Sequence, residues 1–363
     1  MPGRFRTSIL LACALALGLP AAAERVVHPK ILIIHSYSPE SKWTESQNRG
    51  ILREIGKMGR DTIIFSEYLD WKRFPTEAHI TLMREVLKDK YPAEKIDLII
   101  TTDDRALRFA IENRKAIFSD APIVFSGVYS DKAGEITAGE TRITGAYEDF
   151  DIDAAVRMAL KINPDADVAY LINEESESGL QTERRLFEAF ARVAPGMPVN
   201  SLREKGIDGI EAFVPFLGRN SLLIAGSFSI EKDGQVFPPD ILAGRISAAS
   251  SVPLYTLFDQ LFGTGALGGS MMNGEHHGET AGSLAVRYLN GESFETLAPI
   301  SKTELVTVFD YAAVKRFKIP LSAFPRDAAF INRDPPFFVR YRVASILLAA
   351  IFTIMLITLQ FLL

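Results

Sequence analysis

Short runs rich in Ile and Val alternate along this chain with segments whose apolar residues recur at helical spacing. Lys30 to His35 (KILIIH) predicts a buried strand, and Ile51, Ile55 and Met58 mark one face of a helix over Gln47 to Met58. Thr62 to Ser66 predicts a second strand, and Ile80, Met83 and Leu87 a second helix. Ile96 to Thr101 (IDLIIT) predicts a third strand, Asp104 to Asn113 a short helix, and Pro122 to Ser126 a fourth strand. Continuous apolar strands separated by helices imply a parallel sheet covered on both faces.

The alternation then restarts. A helix over Ile152 to Ile162 precedes a strand at Asp167 to Ile172, and Leu186, Phe190 and Val193 share one face of the next helix. Strands at Val199 to Leu202 and Ser221 to Ala225, a helix at Asp240 to Ala249 and a strand at Pro253 to Leu257 complete the second series. The fold class is α/β: two doubly wound, Rossmann-like lobes. Binding sites in such sheets lie beyond the carboxyl ends of the strands, so two facing lobes would enclose a cleft.

The two ends of the chain read differently. Val343 to Leu363 is uncharged, with one amide at Gln360, and as a helix spans roughly the 30 Å core of a bilayer. This predicts a C-terminal transmembrane helix. At the other end Arg4 and Arg6, the apolar stretch Ile9 to Leu19 and Ala21 to Ala23 form a signal-peptide pattern, expected to be cleaved after Ala23. Together they predict an exported domain held in a membrane by its C-terminal helix. Arg333, Arg340 and Arg342 would then lie on the outer flank, against the usual bias of positive charge towards the cytoplasm. From Phe324 to Arg340 the composition shifts to Pro, Arg and Phe, and Pro325, Pro335 and Pro336 disfavour a helix, which suggests a juxtamembrane connector.

Composition narrows the function. The net charge is −5 and becomes two units more negative once Arg4 and Arg6 leave; no long basic patch points to nucleic acid. The single cysteine, Cys13, lies in the expected leader, so the mature domain has neither disulfide nor thiol chemistry. The absence of a GxSxG elbow, a Walker loop and a thiolate nucleophile argues against an enzyme, and nothing calls for a cofactor.

Several segments, in order, carry a resemblance. KILIIHSYSPESKWTESQNRGI (Lys30 to Ile51), TGAYEDFDIDAAVRMALKINPDA (Thr144 to Ala166) and PLYTLFDQLFGTGALGG (Pro253 to Gly269) resemble the ABC-type substrate-binding domains of bacteria. VFDYAAVKRFKIP (Val308 to Pro320) and INRDPPFFVRYR (Ile331 to Arg342) resemble the end of that module in membrane sensors, where a transmembrane helix leads to a histidine kinase or diguanylate cyclase. The resemblance implies a periplasmic-binding-protein fold with three crossovers, placed near Gly145, Gly265 and Leu297. The expected division is signal peptide 1–23; first lobe 24–145 and 266–297; second lobe 146–265 and 298–325; connector 326–342; membrane helix 343–363. It also implies one small organic ligand, an amino acid or a similar solute, enclosed by hinge closure. The expected function is a ligand-sensing input module; the alternative is the binding component of an ABC importer. The expected partner is correspondingly a cytoplasmic kinase or cyclase, or an ABC permease. The departure from those sensors is that no cytoplasmic output domain follows the apolar run.

Strand ends supply the candidate ligand contacts: Ser36, Tyr37 and the nearby Trp43; Asp103 and Asp104; Ser126, Gly127 and Tyr129; Glu174; and Ser227. Glu148, at the expected hinge, and Asp259, after a strand end, join them. Hydroxyls, backbone amides and an acid suit a small polar ligand, and aromatic rings can cover its apolar part. Ser and Asp are equally favoured as helix caps. One of Asp103 and Asp104 is expected to meet a ligand ammonium and the other to cap a helix. Gly263 to Gly268 matches GxGxxG formally, but Asp259 to Phe262 intervene after the preceding strand and a strand is expected to follow it, so a hinge loop is the better reading. Glu275-His276-His277 with Glu279 lacks metal-ligand spacing and predicts a helix start at Gly274.

Overall fold

The computed structural model describes residues 28–362 apart from 93–94, 231–233, 301–303 and 336; the expected signal peptide lies outside the described residues. The chain begins with β1 (Lys30–His35), α1 (Lys42–Gly56), β2 (Ile63–Tyr68), α2 (Glu77–Lys90), β3 (Leu98–Thr102), α3 (Asp103–Ile117), β4 (Ile123–Val128), α4 (Ser130–Ile136) and β5 (Ile143–Tyr147). These strands form a parallel five-stranded sheet in the order β2-β1-β3-β4-β5. Ile31 to Ile34 are fully buried at its centre. A one-residue register shift between β4 and β5 falls at Gly127, whose φ is +75°.

The second series is α5 (Ile152–Ile162), β6 (Val168–Ile172), α6 (Glu177–Val193), β7 (Val199–Ser201), α7 (Gly206–Phe213), β8 (Ser221–Ala225), α8 (Pro239–Ala249), β9 (Leu254–Thr256) and β10 (Gly268–Met271). The chain then returns to the first lobe as α9 (Gly274–Leu289). It ends with β11 (Val306–Asp310), α10 (Tyr311–Phe317), β12 (Ala329–Ile331), α11 (Phe337–Arg340) and α12 (Arg342–Leu362). The second sheet runs β12-β11-β10-β9-β8-β6-β7 and is parallel except where β10 meets β11.

Three passages therefore join the lobes, after β5, after β10 and before β11; the first and third run side by side, and the middle one runs beside the second-lobe segment that follows β9. Tyr147 N–H donates to Ile300 O (2.9 Å) and Ile300 N–H to Gly145 O (2.9 Å). Met272 N–H donates to Leu257 O (2.8 Å) and Asp259 N–H to Met272 O (3.0 Å). The middle passage is later than the expected Gly265. β10 still pairs in the second sheet, because its backbone matches Gly268 to Phe309 and Tyr255. The glycine-rich loop before β10 thus makes a turn within one lobe and leads into a strand. At Gly268 (φ +92°) a Cβ would lie 2.3 Å from Val308 O.

The returning helix docks through small residues. A Cβ at Gly278 would come within 2.0 Å of Gln47 O, and one at Gly50 within 2.0 Å of Glu275 O, so α1 and α9 meet backbone to backbone. Arg49 and Arg53 pair with Glu275, and Arg53 also with Glu279. Together the two helices cover one face of the first sheet through Ile51, Ile55, Leu284 and Leu289.

The connector is more ordered than its prolines suggest. Ala329–Ile331, inside the expected irregular stretch, forms the edge strand β12 against β11. Phe324 and Phe330 pack on Phe309 (ring centroids 4.6 and 6.0 Å), and Asn332 Nδ2 donates to Asp310 Oδ2 (3.0 Å). α12, 21 residues with mean hydropathy 2.4 and no buried residue, is the one helix among the described residues long and apolar enough to cross a membrane.

Candidate functional site

The carboxyl ends of the strands in both sheets face one another. Between them lies a cavity of about 210 Å³, lined from the first lobe by Tyr37, Trp43, Lys72, Asp103 and Tyr129 and from the second by Thr182, Ser227, Ser229, Phe237 and Phe258. Glu148, just after β5, joins them. A neighbouring cavity of about 450 Å³ shares Tyr37, Lys72 and Ser178 and adds Asp104, Glu174, Trp71, Arg203 and Phe228.

Asp103 is the electrostatic centre of the inner cavity. It opens α3 with φ +66°, a left-handed conformation that L residues adopt at a cost of roughly 1–2 kcal/mol. Only 4% of the residue is exposed. Trp43 Nε1–H (2.9 Å) and Gln47 Nε2–H (3.2 Å) both donate to Oδ1, while Oδ2 accepts no hydrogen bond from the described residues. Burial pushes its pKa up to about 7 despite the bonds from Trp43 and Gln47. Asp104 is raised to about 7 as well, by burial and then by Asp103. Neither acid caps α3: Thr102 holds the cap position, without a side-chain bond.

Aromatic rings form the walls. Trp43 meets Phe258 edge to face at 5.8 Å, across the lobes. The Arg185 guanidinium covers the Tyr129 ring at 3.9 Å. Burial, followed by Asp103 and Asp104, raises the Glu148 carboxyl well above the ordinary range; burial, followed by the nearby acids, does the same for the Tyr37 phenol.

Glu174 is a buried anchor. Its Oε2 accepts Ser229 N–H (2.6 Å), Ser229 Oγ–H (3.0 Å) and Ile230 N–H (3.0 Å), and its Oε1 accepts Ser176 Oγ–H (2.5 Å) and Lys72 Nζ–H (2.9 Å). Burial alone would raise this carboxyl, but Lys72 and those hydrogen bonds bring it down to about 2.

Eight candidates therefore line the two cavities: Tyr37 both of them, Trp43, Asp103, Tyr129, Glu148 and Ser227 the first, and Asp104 and Glu174 the second. Four others do not line either cavity. Ser36 Oγ donates to Thr102 O (2.7 Å) and accepts Ala106 N–H (2.8 Å), fixing the start of α3. Ser126 is fully buried in β4. Gly127 N–H donates to His277 Nε2 (2.6 Å), and a Cβ there would press on Asp103 Oδ1, so this glycine shapes the floor beneath the acid. Asp259 Oδ2 accepts Asn273 Nδ2–H (2.8 Å) at the middle passage, next to the lining residue Phe258. His276 and His277 diverge at the start of α9: the first is exposed, while the second is buried, with its pKa lowered to about 4 by burial.

Lys72, Ser229 and Phe258 were not expected. Lys72 lies in a polar loop with no periodicity, and only the pairing of the two lobes brings it to Glu174. Phe258 directly precedes the candidate Asp259, so alternation along Leu254 to Asp259 was the available signal.

No protein-family model matches the sequence, and no curated protein matches it. Solved structures do. The ABC domain from Streptococcus pneumonia in complex with L-Trp superposes with a TM-score of 0.59 at 15% identity, over 82% of this chain and 97% of that one. The chain has the periplasmic-binding-protein fold. The ligand-free, open structure of a substrate-binding protein with adhesive properties from Clostridium difficile gives 0.58 at 16% identity, over 84% and 100%. A conserved domain protein from Vibrio cholerae gives 0.61 at 12% identity, over 83% and 99%.

Proposed function

We propose that this chain is an extracytoplasmic solute-binding protein, held to a membrane by α12, whose closure on a small organic ligand is the input of a signalling receptor. The observation that carries the binding reading is Asp103 Oδ2: a buried acceptor without a partner, on a strained residue, in a cavity lined from both lobes. An unsatisfied buried acceptor is costly, and a ligand donor would remove that cost. The solute-binding names of the structural neighbours, one bound to L-Trp, agree with a small ligand and with a role other than catalysis.

The sensing part rests on the connector. β12 is hydrogen-bonded into the second sheet a few residues before α11 and α12, so the second lobe and the membrane helix share a short, packed link. An importer component needs only a tether, and that remains the second reading, favoured by the ABC-domain and substrate-binding names of two neighbours. A thermal-shift screen of the full chain with amines, amino acids, sugars and nucleosides tests the binding role. A ligand at 100 times its dissociation constant adds about 2.7 kcal/mol of stability. No stabilisation by any solute would contradict it.

A further inference from the structure

The charges around the inner cavity are unequal. Lys72 is taken up by Glu174 and Ser229. Arg73 pairs with Asp70 (2.6 Å) and Glu40 (3.9 Å). Arg185, stacked on Tyr129, reaches Asp131 (3.1 Å) and Asp149 (3.5 Å). Each cation near the cavity thus has a carboxylate of its own. Asp103 pairs with none: its Oδ1 takes two neutral donors and its Oδ2 takes nothing from the described residues. Glu148 lines the same space, and the cations that act on these two acids through space, Lys72 and Arg185, are each in contact with other carboxylates, so the cavity presents more acid than base.

The walls fit one kind of cation. Trp43 and Phe258 form a continuous aromatic surface beside Asp103, and the Trp43 indole is itself bonded to that carboxylate. Aromatic faces attract ammonium groups by about 0.5–2 kcal/mol, more when water is excluded. A ligand carboxylate would meet the opposite conditions. It would enter beside Asp103 and Glu148 with each nearby cation already paired, and like charges in a closed cleft disfavour one another strongly.

We propose that the cleft takes an organic cation: an amine with an aromatic or aliphatic body and no carboxylate, its ammonium on Asp103 Oδ2 and its body against Trp43 and Phe258. This rests on the solute-binding reading above and narrows its ligand class from amino acids to amines. The raised carboxyl of Asp103 fits the same picture, since an ammonium would restore its charged form.

The test is calorimetry on the full chain in detergent with two matched sets: tryptamine, tryptophan and 3-indolepropionic acid; phenethylamine, phenylalanine and 3-phenylpropionic acid. Glucose, myo-inositol and uridine complete the panel. At least one amine should bind tenfold or more tighter than its own amino acid, and neither acid should bind. Asp103→Asn should weaken that amine about ten- to a hundredfold. Asn tolerates the left-handed backbone, so the fold should survive, and its melting curve checks this. An amino acid that equals or beats its amine overturns the proposal. So does an amine that binds Asp103→Asn as well as the unaltered chain, or the failure of both amines to bind. Binding of a sugar or nucleoside in that last case would overturn the cation alone and keep the solute-binding reading; silence from the whole panel would count against both.

Discussion

The Lys72 ammonium of the first lobe lies 2.9 Å from the Glu174 carboxylate of the second. The Glu174 side chain is fully buried and that of Lys72 only 15% exposed, so the pair is a latch across the cleft rather than a surface contact. Removing one partner of a buried pair costs about 3–5 kcal/mol, because the other charge stays behind. Lys72→Met should therefore favour the open form and enlarge the radius of gyration measured by X-ray scattering without ligand. A scattering curve identical to that of the unaltered chain would show that closure does not depend on this pair. The folded pKa of Glu174 is depressed from 4.5 to about 2, so the stability it contributes is present above about pH 4.5 and is lost as pH falls towards 2.

Asp103 has the opposite sign. Its folded pKa is raised from 3.8 to about 7, so between those values the folded state holds a proton that the unfolded chain releases. Stability from this group falls as pH rises through that window, and its full cost stands above pH 7. Asp104 and Glu148, raised first by burial, shift stability in the same direction, while Lys72 limits the rise of Asp103. Asp103→Asn, without ligand, should gain melting temperature over the unaltered chain at pH 8 and show a much smaller difference at pH 5. An equal difference at both pH values would contradict the assignment.

The strands of the first lobe were legible because they are continuous apolar runs: Lys30–His35 was placed to the residue, and Ile96 to Thr101 within two residues. What the pattern did not reveal was which sheet a strand joins. β10 carries Gly-Gly-Ser-Met, too little apolar character to assign it to a lobe, and its place follows from pairing with β11. β12 is three residues long between prolines, and its strand character comes from the edge it covers and the Phe309, Phe324 and Phe330 cluster. At the site, strand-end logic pointed to Tyr37, Asp103 and Tyr129, which line the cavity, and also to Ser36 and Ser126, which are buried within the first lobe and do not.

Glycine positions make a sharp contrast. Gly278→Val would force the valine side chain into the Gln47 backbone and should destabilise the chain by about 1–3 kcal/mol or more. Gly56, at the end of α1, has open space around it, and Gly56→Ala should stabilise by about 0.4–1 kcal/mol. Urea unfolding of both variants measures the difference. Equal midpoints would mean that α1 and α9 do not pack through their glycines.

The connector makes a mechanical prediction. Spin labels on Glu188 of the second lobe and Arg340 beside the membrane helix should keep a fixed, narrow distance with and without ligand, because β12 ties the connector to the second sheet. A label on Lys88 of the first lobe should move relative to Arg340 when ligand closes the cleft. A broad, ligand-independent distribution for both pairs would support a tether and the importer reading.

The central claim is that the cleft around Asp103 and Trp43 holds a small solute. Equilibrium dialysis of the full chain against a mixed solute library, with mass spectrometry of what the protein retains, tests it most directly. The unaltered chain should enrich one solute class, and both Asp103→Asn and Trp43→Ala should lose that enrichment while remaining folded. Enrichment that survives both substitutions, or none above a protein-free control, would contradict it.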